Sequence, residues 1–186
     1  LTSEGVLVRV AGKGTYVAPS KISAVSPAYK GIREQLEALG YDTTTQLISL
    51  DRVPAPNRVR ERLRLGSEDE VYAIVRLRSV DGKPLSVHRS YVPAKLAPLL
   101  DRHDVVNEQL CKVLETHYQL PMKNVEEDLE AVAVDVADAK YLELRRGDPA
   151  LRLTDVISDK YGAAFEYSTI VFRGDTMRLK FDYQLT

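Results

Sequence analysis

The chain has no tryptophan, two methionines and a single cysteine, Cys111. One cysteine cannot close an internal disulfide, so a disulfide scaffold is excluded and a reducing compartment fits. Cys111 itself reads as a small buried apolar side chain on a helix. An excess of charge of one sign is missing too: 26 Lys and Arg stand against 27 Asp and Glu, a formal net charge of −1. Strong nonspecific nucleic-acid binding needs clustered cations, which this balance does not supply. No apolar run approaches the ~20 residues that span a bilayer, so no membrane partner is expected. Enzyme signatures are absent as well: there is no His-Glu-x-x-His, Cys-x-x-Cys or Gly-x-Ser-x-Gly, and His88, His103 and His117 are not at metal-ligand spacings. No metal or cofactor is expected.

What is present is the composition of a globular protein, with 44% hydrophobic and 28% charged residues over 186 positions. A chain of that length buries roughly 70% of its unfolded surface and needs no covalent staple. It opens Leu1-Thr2-Ser3-Glu4-Gly5, with no basic segment followed by an apolar stretch, which reads as mid-domain sequence of a truncated cytoplasmic protein rather than a leader. Val6 to Val10 and Thr15 to Val17 flank Ala11-Gly12-Lys13-Gly14 as a hairpin. Ala18 to Ala28, with two prolines and three serines, has the composition of a linker.

A second region then begins. Ile32, Leu36 and Leu39 mark one face of a helix stopped by Gly40. Thr43 to Asp51 reads as a strand and Pro56 to Leu65 as a short exposed helix. Val71 to Val80 and Leu85 to Val92 form a hairpin about Asp81-Gly82-Lys83-Pro84. A helical stretch from Pro93 to about Leu100 precedes a longer helix, Asn107 to Tyr118, with Leu110, Val113 and Leu114 inward. Leu129 to Val134 is a strand and Ala137 to Leu144 a helix; Leu151 to Ser158, Phe165 to Phe172 and Met177 to Tyr183 are closing strands. Consecutive strands without intervening helices predict an α+β class with a mainly antiparallel sheet flanked by helices. The expected division is a hairpin remnant at 1–17, a linker at 18–30 and one domain at 31–186.

The run Glu4-Gly5-Val6-Leu7-Val8-Arg9-Val10-Ala11-Gly12-Lys13-Gly14-Thr15-Tyr16-Val17 resembles the wing of GntR-family winged-helix domains. Its glycines let backbone approach a duplex closely, while Lys13 and Arg9 can pair with phosphate. Arg9, Gly12, Lys13 and Gly14 are therefore the DNA-binding candidates. A phosphate-binding P-loop fails on spacing, because Gly14 separates Lys13 from Thr15. From about Gly31 onward the chain resembles the UTRA effector-binding domain of the HutC branch, which shares the chorismate-lyase fold. The residues that carry this are, in order, the helix ending at Gly40, Arg76-Leu77-Arg78, Asp81-Gly82-Lys83-Pro84-Leu85, Ser90-Tyr91-Val92-Pro93, Leu114-Glu115 with Tyr118, Gly147-Asp148-Pro149-Ala150-Leu151, Phe165-Glu166-Tyr167-Ser168 and Arg173-Gly174-Asp175.

Arg76 and Arg78, two apart on a strand, project to one face, and adjacent guanidinium groups repel unless an anion or carboxylate sits between them. The resemblance implies that this pair holds the acidic group of a small effector and that Glu166 accepts hydrogen bonds from the effector's hydroxyls or amines. Without it, Glu166 reads equally as a cross-strand partner of an arginine. Tyr91 and Phe172 are candidate aromatic walls. Two positions depart from the sugar-phosphate-binding members: His88 stands where many carry Glu, and Gly31 where they carry Ser or Thr. The bare amides at that helix start still attract an anion. His88 offers a ring that hydrogen-bonds and titrates near neutral pH, and Gln109 an amide. The expected protein is a homodimeric, ligand-responsive repressor whose partners are a small acidic metabolite and operator DNA. The alternatives are a chorismate-lyase-fold enzyme acting on a small dicarboxylate and a dimerisation module without a ligand.

Overall fold

The computed structural model describes the backbone of residues 7–10 and 14–17, and backbone with side chains for 21–26 and 31–181. Strand β1 (Leu7–Val10) pairs antiparallel with β2 (Gly14–Val17), Arg9 opposite Thr15 and Val10 opposite Gly14. The β-branched and aromatic residues thus form the expected hairpin. Gly12 and Lys13 lie outside the described residues, as does everything about the side chain of Arg9.

The main body is built on one six-stranded antiparallel sheet. Its strands are β4 (Thr43–Pro54), β5 (Glu70–Val80), β6 (Lys83–Pro93), β7 (Asn124–Ala133), β8 (Pro149–Ser158) and β9 (Ala164–Arg173), in the order β4-β5-β6-β9-β8-β7. The β5–β6 hairpin turns at Asp81 and Gly82, both with positive φ (49° and 74°), as a two-residue turn compatible with strand twist requires. Pairing of β6 with β9 joins the two three-stranded halves, so residues 86–91 and 167–172 occupy the centre of the sheet.

Helices cover both faces. On one side α1 (Ile32–Ala38) buries Ile32 and Leu36 against Leu153, Ile170 and Phe172, while α3 (Leu110–Tyr118) buries Leu110, Val113 and Leu114 against Tyr72, Ile74 and Phe165. On the other side α2 (Asn57–Leu63) packs Val59 and Leu63 against Val71 and Tyr167, and α4 (Val136–Leu142) packs Ala139 and Leu142 against Val87 and Val171. The odd and even positions of the central strands therefore face different helix pairs. The gap between α1 and α3 leaves part of the sheet without an apolar cover.

The structure departs from the sequence reading where β7 begins at Asn124 rather than Leu129 and α3 at Leu110 rather than Asn107, and in four further places. Leu39 is 58% exposed, because α1 ends at Ala38 and the chain turns away through Gly40 (φ 86°). Pro93 to Leu100 is not a helix: Pro98 disfavours helical backbone before it, Leu99 takes a positive φ of 61°, and only a single 3₁₀ turn follows at Leu100–Arg102. Within the linker-like stretch, Ile22–Val25 forms β3, with Ile22 and Ala24 buried. Its partner is β10 (Met177–Lys180), which runs parallel to it and stands outside the six-stranded sheet rather than closing it.

Gly174 fixes the turn that sends the chain from β9 to β10. Its N–H donates to the Pro149 carbonyl (3.1 Å), and a Cβ at this position would lie 2.6 Å from that same oxygen. Backbone cannot yield as a side chain can. Gly174→Ala is expected to destabilise the fold by about 1–3 kcal/mol, measured by denaturant unfolding.

Candidate functional site

The uncovered part of the sheet is polar because each central strand places hydrophilic side chains on that face. Alternation puts Arg76 and Arg78 of β5, Ser86, His88 and Ser90 of β6, Glu166 and Ser168 of β9, and Asp155 of β8 on the same side. Register then aligns them across the sheet. Ile74, Ser90, Ser168 and Asp155 form one row; Arg76, His88 and Ile170 form the next; Arg78 lies opposite Ser86. The N-terminal ends of α1 (Gly31 to Glu34) and α3 (Gln109 to Cys111), together with Met122, wall a cavity of about 270 Å³ over this floor. That is near the low end of the roughly 300–1,000 Å³ usual for small-molecule sites.

Charge in the cavity is buried and incompletely neutralised. Arg76 donates from Nη1 to the Val105 carbonyl (3.2 Å) and from Nη2 to Ser90 Oγ (3.4 Å), leaving its Nε without a partner. The Ser90 hydroxyl also helps to hold the Glu166 carboxyl down, so it stands between the guanidinium and the carboxylate. No ion pair joins Arg76 or Arg78 to a carboxylate among the described residues. Arg78 is 9% exposed and its Nε is likewise unpartnered. Burial, reinforced by repulsion from Arg76 and Arg33, pushes its guanidinium down to about 9. Burial also lowers Arg76, against the opposing pull of Glu166.

The acidic end shows the mirror image. Asp155 accepts a hydrogen bond from Ser168 Oγ (3.1 Å) on Oδ2, while its Oδ1 is buried with no partner. Burial, with the charges of Glu127 and Glu166 added, pushes its carboxyl up to about 7 despite that hydrogen bond. Glu166 is raised by burial, opposed by Arg76 and by the Ser90 hydrogen bond.

Of the residues expected to meet an effector, the structure gathers Gly31, Arg76, Arg78, His88, Gln109 and Glu166 around one cavity. His88 is not a group that titrates near neutrality: burial and the two arginines hold its imidazole well below the ordinary range, and its Nε2 pairs with Ser86 Oγ at 2.9 Å. Gly31 caps α1 without a side-chain hydrogen bond, and a Cβ there would meet the amide end of Gln109 at 2.8–2.9 Å, so the two positions share one small space. Tyr91 is misplaced by the sequence reading. It lies at odd parity to His88, on the other face, stacked on Tyr167 with ring centroids 6.0 Å apart. Phe172 has the right parity but is fully buried beneath α1 and meets the site only through its edge contact with His88, at 6.2 Å.

Several lining residues escaped the sequence reading. Ser90 and Ser168 lie within the motifs already noted, two positions from His88 and Glu166. Asp155 carried a local signal, being a carboxylate between Leu153 and Ile157 on the inward face of an apolar strand. Cys111, expected as buried core, is half-buried at the wall with Sγ 3.5 Å from Gln109 Oε1. Among the described residues no cluster of His, Cys, Asp and Glu can hold a metal ion, and no helix is long and apolar enough to cross a membrane.

The cavity floor is tied to the segment that follows the hairpin. Gln35 of α1 accepts from the Val25 N–H (2.8 Å) and donates to the Val25 carbonyl (3.2 Å). Ser26 donates to Glu127, which lies opposite Asp155 across the β7–β8 pair.

Comparison with known proteins agrees with this architecture. The UTRA domain model matches residues 38–178. The chain is similar to the HTH-type transcriptional repressor NagR of Bacillus subtilis, 25% identical over 175 residues that make up 94% of this chain and 72% of that one. It is similar as well to the HTH-type transcriptional regulator GmuR of the same organism, at 27% identity over 180 residues, 94% of this chain and 75% of that one. Among solved structures, PhnF from Mycobacterium smegmatis shares the fold with a TM-score of 0.82 at 20% identity, covering 100% of this chain and 81% of PhnF. The effector domain of PhnF superposes with a TM-score of 0.79 at 18% identity, covering 88% of this chain and the whole of that one.

Proposed function

The chain belongs to the UTRA domain family, and from that premise we propose that it is the sensing part of a GntR-type transcription repressor that answers to a small acidic metabolite. The relatives it matches are regulators, not enzymes, and an attached hairpin of wing-like sequence has no place in a lyase. The observation that carries the reading is the pair Arg76 and Arg78, buried, opening on a cavity and bonded to no carboxylate. Two adjacent buried cations are costly unless something anionic arrives, and guanidinium is suited to bidentate capture of carboxylate or phosphate.

In this reading the anion sits between Arg76 and Arg78 beside the N-terminal ends of α1 and α3. Glu166 and Gln109 contact the remainder of the effector. His88 stays neutral and serves as a fixed hydrogen-bonding wall. Occupancy reaches DNA through contacts already made: α1 lines the cavity with Gly31 to Glu34 and clamps Val25 with Gln35. An effector that shifts α1 therefore shifts the backbone leading to the hairpin, where Arg9, Gly12, Lys13 and Gly14 meet the duplex. Two copies joined through the sensing domain set the separation of their winged helices on a palindrome. The effector's influence is limited to its difference in affinity for the two arrangements.

The test is operator binding by the full-length regulator with and without a panel of phosphorylated sugars and carboxylates. A compound that raises the protein's thermal midpoint and changes operator affinity at least 5-fold, the scale of ordinary allosteric coupling, is the expected outcome. If no DNA sequence is preferred under any condition, the repressor reading fails.

A further inference from the structure

Two charged side chains in the cavity form no ion pair and keep an unpartnered polar atom, and they lie towards opposite ends of its floor, although Glu37 acts on Arg78 from a distance. At one end is Arg78 on β5, which has no hydrogen bond to a carboxylate; at the other is Asp155 on β8, whose Oδ1 has no partner at all. Arg76 stands beside Arg78 on β5 and Glu166 on β9, with the Ser90 hydroxyl of β6 between them. The unsatisfied pair is thus separated by three strand-to-strand steps of about 4.8 Å each, β5 to β6 to β9 to β8, and by four residues along the strands.

We infer that the effector is bipolar: an acidic group held by Arg78 and Arg76, and a protonated amine received by Asp155 with Glu166 beside it. This rests on the sensing role proposed above and names the chemistry of its ligand. Asp155 is 4% exposed and lines the cavity, so its free oxygen is turned neither to bulk solvent nor to another protein group. A neutral hydroxyl would satisfy the oxygen's lone pairs but leave two buried carboxylates, Asp155 and Glu166, facing each other. A cation removes that repulsion as well, and it draws Asp155 from its raised, readily protonated condition into a charge-assisted hydrogen bond. The same ligand neutralises the guanidinium end, so both unpaired charges are answered by one molecule. Glu127, behind Asp155 on β7, keeps the region negative. Arg33, Arg76 and Arg78 stand at the other end, opposed there by Glu37 and by Glu34 at the cavity wall.

The experiment titrates the intact chain by calorimetry at neutral pH with ω-aminoalkyl phosphates from O-phosphoethanolamine to aminohexyl phosphate. The matching ω-hydroxyalkyl and plain alkyl phosphates serve as controls. At the best chain length the amine is expected to bind about 10-fold or more tighter than either control, the range of a hydrogen bond to a charged partner. Asp155→Asn should reduce that preference to within about 2-fold by weakening the amine relative to the controls. Amine and hydroxyl binding equally well at every length overturns the assignment of Asp155 but keeps the anion site. Failure of all three series overturns the anion site itself. A preference for the amine that survives in Asp155→Asn transfers the role to Glu166 and refutes the inference for Asp155.

Discussion

Arg78→Met is expected to make the protein more stable and to remove most of its affinity for an anionic effector. Arg78 forms no ion pair among the described residues, its Nε is unsatisfied, and burial together with Arg76 and Arg33 works against its charge. Methionine keeps the unbranched apolar stem and discards the charge, and replacing buried charges by hydrophobic side chains of similar size is often stabilising by about 1–4 kcal/mol. A gain at the lower half of that range raises the thermal midpoint by roughly 2–10 °C in a domain of this size. Affinity for a phosphate- or carboxylate-bearing ligand should meanwhile fall by about 10- to 100-fold, the worth of a charge-assisted hydrogen bond. Arg76 is the poorer choice for this test, because its Nη1 also holds the Val105 carbonyl and its loss confounds the two effects. Differential scanning calorimetry and ligand titration on the same samples decide the matter. A lower midpoint would mean that Arg78 is structural, and unchanged affinity would remove it from the site.

That opposition between stability and binding explains which parts of the site were legible in the sequence. Arg76 and Arg78 stand out because two like charges at i, i+2 on an otherwise apolar strand contradict a folding pattern, and such contradictions mark function. Glu166 is visible by the same logic, and Asp155 would have been, since Leu153, Asp155 and Ile157 share inward parity. Parity also argued against Tyr91, which alternates away from His88 and Ser90. What strand parity does not reveal is the cover. Phe172 faces the same way as His88, yet α1 seals it into the core, and that depends on how a helix some 140 positions earlier lies across the sheet. The parallel pairing of β3 with β10 was equally hidden, because four-residue strands so far apart in sequence leave no local trace of their partnership. Serines and prolines around Ile22–Val25 gave it the look of a tether, whereas Ile22 and Ala24 are anchored in the core.

Asp155→Asn should stabilise the unliganded protein by an amount that depends on pH. In the unfolded chain the carboxyl ionises near its ordinary value of 3.8, whereas in the folded protein burial and the neighbouring Glu127 and Glu166 charges push it up to about 7. A pKa raised by folding favours the folded state while the group is protonated, so the native protein enjoys this contribution below about pH 4 and loses it progressively as pH rises to 7. Across that window the loss is on the order of 4 kcal/mol, a third or more of the stability of an ordinary domain. Asparagine has no proton to lose and keeps an oxygen for the Ser168 hydroxyl. Wild type and variant should therefore unfold at nearly the same urea concentration at about pH 3, with the variant gaining steadily from about pH 4 up to about pH 7 and holding a constant lead above it. Glu127→Gln should give a smaller gain of the same sign, because it removes only one of the charges acting on Asp155. A constant difference at every pH would show that the carboxyl ionises alike in both states. Adding a saturating aminoalkyl phosphate to the wild type at pH 8 should close the gap, since a bound ammonium offsets the buried charge that the substitution deletes.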